Sequence, residues 1–381
     1  MHDPEWDTPE RRALRDTVRR FTATEIVPHL TDWEEAGALP RELHRTAAQA
    51  GLLGIGFPEE VGGVGGTPVD VFTVTEEMIL AGGSSGLIAG LFTHGIGLPH
   101  LVAAGDPALI DRVARPVLAG ERIVSLAITE PGTGSDVAGL TTRAVRDGDD
   151  YLVSGAKLFI TSGTRADHVT TAVRTGGDGA GGISLLLIDR DTPGVHVSAP
   201  LRKMGWWCSD TAELRFDEVR VPVTNLIGPE HGGFAQIMAH FASERLSLAV
   251  QAYATAQRCL ELTLAYVQQR ETFGRPLATR QVVRHRLAEM ARQVDVARTY
   301  TRAVVGRWLA GDDVIREVAM AKNTAVAACD AVVDDAVQLH GGMGYMRETE
   351  VERHYRDSRI LGIGGGTTEI MTEVVGRLLL P

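Results

Sequence analysis

The sequence has little with which to cross-link itself. Its 381 residues include three cysteines, Cys208, Cys259 and Cys329, and thiols so far apart supply neither a disulfide framework nor the paired spacing of a zinc site. A reducing cytoplasm is the expected location, and no metal is expected. Cationic excess is also missing: 38 Lys and Arg face 49 Asp and Glu, a formal net charge of −11. Without a basic stripe the chain cannot release the counterions that drive binding to a phosphate backbone, so nucleic acid is not an expected partner. Nowhere do about 18 apolar residues run uninterrupted, and the opening Met1-His-Asp-Pro-Glu-Trp6 is acidic and polar. Neither a membrane span nor an export signal is expected. Also absent is a G-x-G-x-x-G following a strand, which removes support for a nicotinamide site of the Rossmann type.

What is present divides by periodicity. From Pro9 to about Ala119 apolar residues recur three and four apart, as in Leu14, Val18 and Phe21, until Pro28 ends or bends the first helix. Leu43, Ala47, Ala50 and Leu53 form a second stripe, and a helix over Val69 to Leu80 follows the glycine-rich loop Phe57 to Gly66. Gly82-Gly-Ser-Ser-Gly86 spells a nucleophile elbow, but it follows a helical stripe where that motif requires a strand, so it reads as a helix connection. His94 and His100 have no acidic or cysteine partner at ligand spacing and read as core or pocket lining. Between Val124 and about Val223 the pattern changes to short β-branched runs: residues 140–146, 151–154, 157–161, 168–174 and 183–189, with a hairpin loop over 175–182. Helical periodicity returns after Gly233, near 234–269, 281–310, 313–340 and 368–379. The expected fold is α+β: an N-terminal α-helical domain (1–122), a middle β-barrel domain (123–228) and a C-terminal four-helix bundle (229–381).

Chemistry concentrates in a few places. Val124, Leu126 and Ile128 alternate as the buried face of a strand, after which Pro131, Gly132 and Gly134 free backbone N–H groups beside the hydroxyls of Thr129, Thr133 and Ser135. Phe159 and Thr161 stand two apart, on one face of a later strand. In the first bundle helix Phe241, Glu244 and Leu248 share one stripe, which puts a carboxylate among apolar groups. Desolvation there raises its pKa, as suits a general base. Arg245, about 100° round the helix, need not neutralise it. Three further constellations are Arg270 to Leu277 at a helix end, Gln338-Leu-His-Gly-Gly342, and Arg356 to Ile370. In the last, glycines lead into a helix with Thr367 and Thr368 as possible caps and Glu369 in its first turn.

The string Ile128-Thr129-Glu130-Pro131-Gly132-Thr133-Gly134-Ser135-Asp136 closely resembles the flavin-contacting signature of the acyl-CoA dehydrogenase family, and the other constellations extend the resemblance over nearly the whole chain. It implies FAD, lined by Ile128, Thr129, Gly134, Ser135, Phe159 and Thr161 of one subunit. Arg270, Thr272, Phe273, Gln338 and Gly342 would reach it from a neighbour, and Thr367 and Glu369 would complete the site. Ser135, Arg245 and the Gly365 N–H would serve the substrate, an acyl-CoA or acyl-carrier-protein thioester. An electron-transfer flavoprotein as acceptor and a homotetramer follow from the same resemblance. One departure stands out: many members carry their catalytic glutamate where this chain has Gly365. A branch similar to isovaleryl-CoA and long-chain acyl-CoA dehydrogenases places the base instead at the position of Glu244. The expected reaction is α,β-dehydrogenation to the trans-2-enoyl thioester. Its rivals are a carrier-protein-linked dehydrogenase, a flavin oxidase or N-hydroxylating monooxygenase on the same scaffold, and a flavin-binding protein without chemistry.

Overall fold

Seven strands between residues 124 and 222 form a curled mixed sheet, and helices account for most of the remainder of the chain. The computed structural model describes residues 5–380. By contacts the chain gathers into two compact units whose segments interleave along the sequence. One is Met1–Pro28, Pro68–Ser85 and Ala242–Pro381; the other is His29–Thr67 and Gly86–Phe241.

The sheet lies in the second unit. Its strands are β1 (Val124–Ala127), β2 (Arg143–Asp147), β3 (Asp150–Thr161), β4 (His168–Arg174), β5 (Ile183–Asp189), β6 (Val195–Val197) and β7 (Thr211–Pro222), in the order β1-β4-β2-β3-β7-β6 with β5 also on β4. β1 runs parallel to β4, from Val124↔His168 to Ala127↔Thr171, while β4 and β5 form the expected hairpin around 175–182. β1 forms where expected, with Val124 and Ile128 towards one cluster, but its opposite face is covered as well. Val124 joins a cluster with Leu98, Leu118 and Leu187, whereas Ile123 and Ala127 join one with Val153, Ile160 and Leu214. The expected strands 151–154 and 157–161 are one strand, β3, whose pairing with β7 slips at Val153/Gly155 and again at Lys157/Ile160. Glycine is required at the first slip: Gly155 has φ 151°, and a Cβ there would lie 2.7 Å from the Thr142 Cα.

The first unit is helical. Pro9–Phe21 is capped by Thr8, whose hydroxyl accepts from the Arg11 N–H at 3.3 Å, and continues through a wider turn over Thr22–Ile26 that stops short of Pro28. Pro68–Leu80, Gln281–Leu309, Ile315–His340 and Thr368–Leu379 fall close to their expected bounds, as does the long Gly233–Gln269 that enters this unit at Ala242. Glu350–Ser358 is a helix the periodicity did not reveal. A buried network ties these helices together: Arg302 donates to both oxygens of Glu76 at 2.8 Å, and its guanidinium lies 4.5 Å from the Trp6 ring. Among the described residues no single helix is long and apolar enough to cross a membrane.

Candidate active site

Glu244 sits in the Gly233–Gln269 helix, one turn before the buried Leu248. It makes no hydrogen bond or ion pair with any described residue. Burial pushes its carboxyl above the ordinary range, against the opposing pull of Arg245 and Lys322. What it faces is the glycine turn after Glu350–Ser358. A Cβ built on Gly365 would stand 3.4 Å from Glu244 Oε1 and 2.5 Å from Leu248 Cδ1. The helix carboxylate therefore occupies the space in front of position 365, and a side chain there would compete with it.

The turn has a backbone that only glycine adopts readily: φ is 62° at Gly365 and 98° at Gly366. Its carbonyls are held by cations. Arg245 Nε donates to the Gly365 carbonyl at 3.2 Å, and Lys322 Nζ to those of Gly364, at 2.6 Å, and Gly366. Thr367 then caps the last helix, its hydroxyl accepting from the Ile370 N–H at 3.2 Å, with Glu369 exposed in the first turn.

The second constellation follows β1. The Glu130 N–H donates to the Thr133 carbonyl at 2.9 Å and the Thr133 N–H returns a bond at 3.2 Å, closing the turn. Behind it lies a buried ion pair. Lys157 Nζ donates to Glu130 Oε1 at 2.8 Å and to the Ile128 carbonyl at 3.0 Å. The Glu130 carboxylate also accepts from the Thr141 N–H and hydroxyl and the Thr142 N–H, at 2.7, 2.8 and 2.9 Å. Burial pushes the Glu130 carboxyl up, but the Lys157 charge and these donors outweigh it and bring it down to about 2. With its inner side anchored, the turn leaves Gly134 and Ser135 exposed, and open space lies where a Gly134 Cβ would be. The hydroxyls of Thr129, Ser135 and Thr161 make no hydrogen bond with the described residues, while Ile128 packs against the neighbouring core. The slip at Lys157/Ile160 puts Phe159 in the left-handed region (φ 61°) and 65% exposed, so a bulge, not simple alternation, presents this ring.

A third group lines a cleft of about 880 Å³ in the helical unit, where Arg270, Thr272, Gln338 and Gly342 come together with Arg286 and His340. His340 stacks on Tyr266 with ring centroids 4.2 Å apart, and Gly341, with φ 60°, ends the helix beside them. Phe273 is not in the lining. It caps the two-stranded hairpin formed by β8 (Glu271–Thr272) and β9 (Arg275–Pro276), 95% exposed, with the Arg280 guanidinium 5.7 Å from its ring centroid.

The residues present fit FAD. The cleft offers an arginine for a pyrophosphate, an amide and a hydroxyl. The turn after β1 and the end of β3 offer the unengaged hydroxyls of Thr129, Ser135 and Thr161, and the glycines Gly134 and Gly342 each have open space over the Cα. No group of acidic, histidine or cysteine side chains suited to a metal occurs among the described residues. His94 and His100 are buried as expected: His94 Nε2 meets the Leu53 carbonyl at 2.9 Å, and His100 lies edge-on to His240. Sequence reasoning passed over Lys157 and Lys322. Both carried a signal of the kind that singled out Glu244, a charge on an apolar stripe, as with Val318, Lys322, Ala325 and Cys329.

Comparison with known proteins agrees along the whole length. Models of the acyl-CoA dehydrogenase N-terminal, middle and C-terminal domains match residues 8–121, 125–219 and 231–380. The long-chain specific acyl-CoA dehydrogenase of mouse mitochondria is 37% identical, over 97% of this chain and 86% of that protein. A probable acyl-CoA dehydrogenase of Bacillus subtilis is 36% identical over 98% of both. Among solved structures, a probable acyl-CoA dehydrogenase from Mycobacterium abscessus superposes with a TM-score of 0.98 at 66% identity, covering 98% of this chain and 100% of the other.

Proposed function

This chain belongs to the acyl-CoA dehydrogenase family of FAD-dependent oxidoreductases, and from that premise we propose that it converts an acyl-CoA to the trans-2-enoyl thioester with Glu244 as the base. The observation that carries the assignment is local. By the family resemblance Gly365 stands at a position where many members carry their catalytic glutamate, and here the Glu244 carboxylate lies 3.4 Å from where a Gly365 Cβ would be.

The α-proton of a thioester is weakly acidic, so its removal needs a positioned base and a donor for the oxygen that gains charge. Glu244, raised in pKa by burial, is matched to the first task near neutral pH. The Gly365 N–H, which has no backbone acceptor among the described residues, is suited to the second. Bound FAD supplies the acceptor for the β-hydrogen, which leaves as hydride. Ile128, Thr129, Gly134, Ser135, Phe159 and Thr161 would hold it in one subunit; Arg270, Thr272, Phe273, Gln338 and Gly342 would reach it from a neighbour in a homotetramer; Thr367 and Glu369 would complete the contacts. The same reading has Ser135 and Arg245 beside the thioester, an electron-transfer flavoprotein taking the electrons, a cytoplasmic enzyme, and three domains over 1–122, 123–228 and 229–381.

The test is anaerobic flavin reduction by acyl-CoA. Glu244→Gln is nearly isosteric, so FAD and thioester binding should persist while reduction slows by at least about 10²-fold, the usual scale of general-base catalysis. Reduction at the wild-type rate would place the base elsewhere.

A further inference from the structure

Two cations hold three consecutive carbonyls of one glycine turn. Lys322 lies in the Ile315–His340 helix, 1% exposed, and grips Gly364 and Gly366 on either side of the Gly365 carbonyl taken by Arg245. Lysines are almost never fully buried unless paired with a carboxylate. Lys322 is buried, yet it makes no ion pair among the described residues, and its hydrogen bonds go to backbone alone. Carbonyls are weak compensation for dehydrating an ammonium. Within the fold this arrangement costs stability, which points to a use at the site the turn forms.

A trans peptide sends its C=O and N–H to opposite sides. Holding the Gly364 oxygen therefore fixes the direction of the Gly365 N–H, which points away from the ammonium. Position 365 is also the one Glu244 faces, with the Cβ direction 3.4 Å from Oε1. An ammonium that draws electron density from a carbonyl makes the N–H of the same peptide a stronger donor.

We propose that Lys322 is a positioning residue of the thioester site: acting through the Gly364–Gly365 peptide, it aims and strengthens the N–H that holds the thioester oxygen as the α-proton leaves. This rests on Glu244 as base and the Gly365 N–H as donor. In that step the proton passes to a Glu244 oxygen, the C–H pair forms the new C–C double bond, and the carbonyl oxygen takes the charge. Lys322 keeps its own proton throughout and nothing is oxidised. Burial lowers the Lys322 pKa to about 8, with Glu244 opposing and Arg245 reinforcing the shift, so the charge is present at neutral pH.

A 3-thia-acyl-CoA isolates this step, because sulfur at the β position leaves an α-proton to lose but no β-hydrogen to transfer. Added to the FAD-loaded enzyme at pH 7, it forms an anion that is followed by long-wavelength absorbance beside oxidised flavin. Lys322→Met and Lys322→Gln should each slow the appearance of that band by at least about tenfold, the equivalent of one pKa unit. FAD content and affinity for the un-ionised ligand should stay near wild type and the melting temperature should not fall, which a merely structural lysine would not allow. The wild-type rate should also fall as pH rises through about 8, and that limb should be missing from both variants. Should Lys322→Met fail to fold, Lys322→Gln decides, since its amide still donates to a carbonyl but carries no charge. A folded Lys322 variant that ionises the ligand at the wild-type rate overturns the proposal. Glu244→Gln in the same assay keeps the two ideas apart: a slow Glu244→Gln beside a fast Lys322 variant retires Lys322 alone, and a fast Glu244→Gln retires the base assignment.

Discussion

At residue scale the site is a contest for one small volume. A Cβ at 365 would touch the Glu244 carboxylate at 3.4 Å, an ordinary contact, and overlap Leu248 Cδ1 at 2.5 Å, so any longer side chain there meets both. Gly365→Ala is therefore expected to destabilise by roughly 1–3 kcal/mol, the range for a non-glycine residue forced into a sparsely populated backbone region. Thermal unfolding of the holoenzyme checks it. The loss should be smaller in a Leu248→Ala background, because the overlap is with the far end of that side chain and contacting residues are not additive. The pH dependence of flavin reduction has a defined sign. As the proposed base Glu244 must be ionised to accept a proton, and burial raises its pKa above the ordinary 4.5, so on that proposal the rate should climb with pH through the raised value. Glu244→Gln should lack this rise.

Elements act by presenting groups they do not contain. The turn after β1 is held from beneath by Lys157 on β3, and the Lys322 helix plays the same part for the turn at 364–366. Lys157 does so through one backbone carbonyl and the Glu130 carboxylate, Lys322 through two carbonyls and no carboxylate. The Glu130 carboxyl, down to about 2 in the fold against 4.5 unfolded, contributes stability that is complete above pH 4.5 and lost as pH falls towards 2. Glu130→Gln should remove that segment of the acid-unfolding profile and strand the Lys157 charge, lowering the melting temperature at pH 7. On the proposed FAD contact, Arg270→Ala in the helical cleft is expected to weaken FAD retention about 10- to 100-fold, the loss of one hydrogen bond to a charged group. Equilibrium dialysis against free FAD measures it.

The whole molecule carries a second acid-sensitive device. His44, His94 and His100 are buried and held neutral, with pKa values brought down by desolvation to about 3, 4 and 4. Unfolded, each takes up a proton near 6.5, so between pH 6.5 and about 4 the unfolded chain binds more protons than the folded one and stability falls. Urea midpoints measured from pH 8 to 3 should decline first over this window, and then over the Glu130 window below 4.5. Replacing all three histidines by glutamine should flatten the first decline and leave the second.

The sequence by itself determined the order of helical, strand and helical segments, because burial against a partner face imposes a period that needs no knowledge of the partner. It also singled out Glu244, since a charge on an apolar stripe is a local anomaly. Other features had no local signal. The alternation that marked β1 as a strand did not show that its second face is covered as well, and β3 reads as two strands because its slips answer to pairing with β7 and to the close approach of Thr142. Phe159 is presented by a bulge that pairing creates. Only the tertiary structure decided that Glu244 fronts Gly365 and that Lys322 stands behind the same turn. Those residues are 121 and 43 positions from Gly365, and contact at such separation follows from how the helices pack, not from any spacing along the chain.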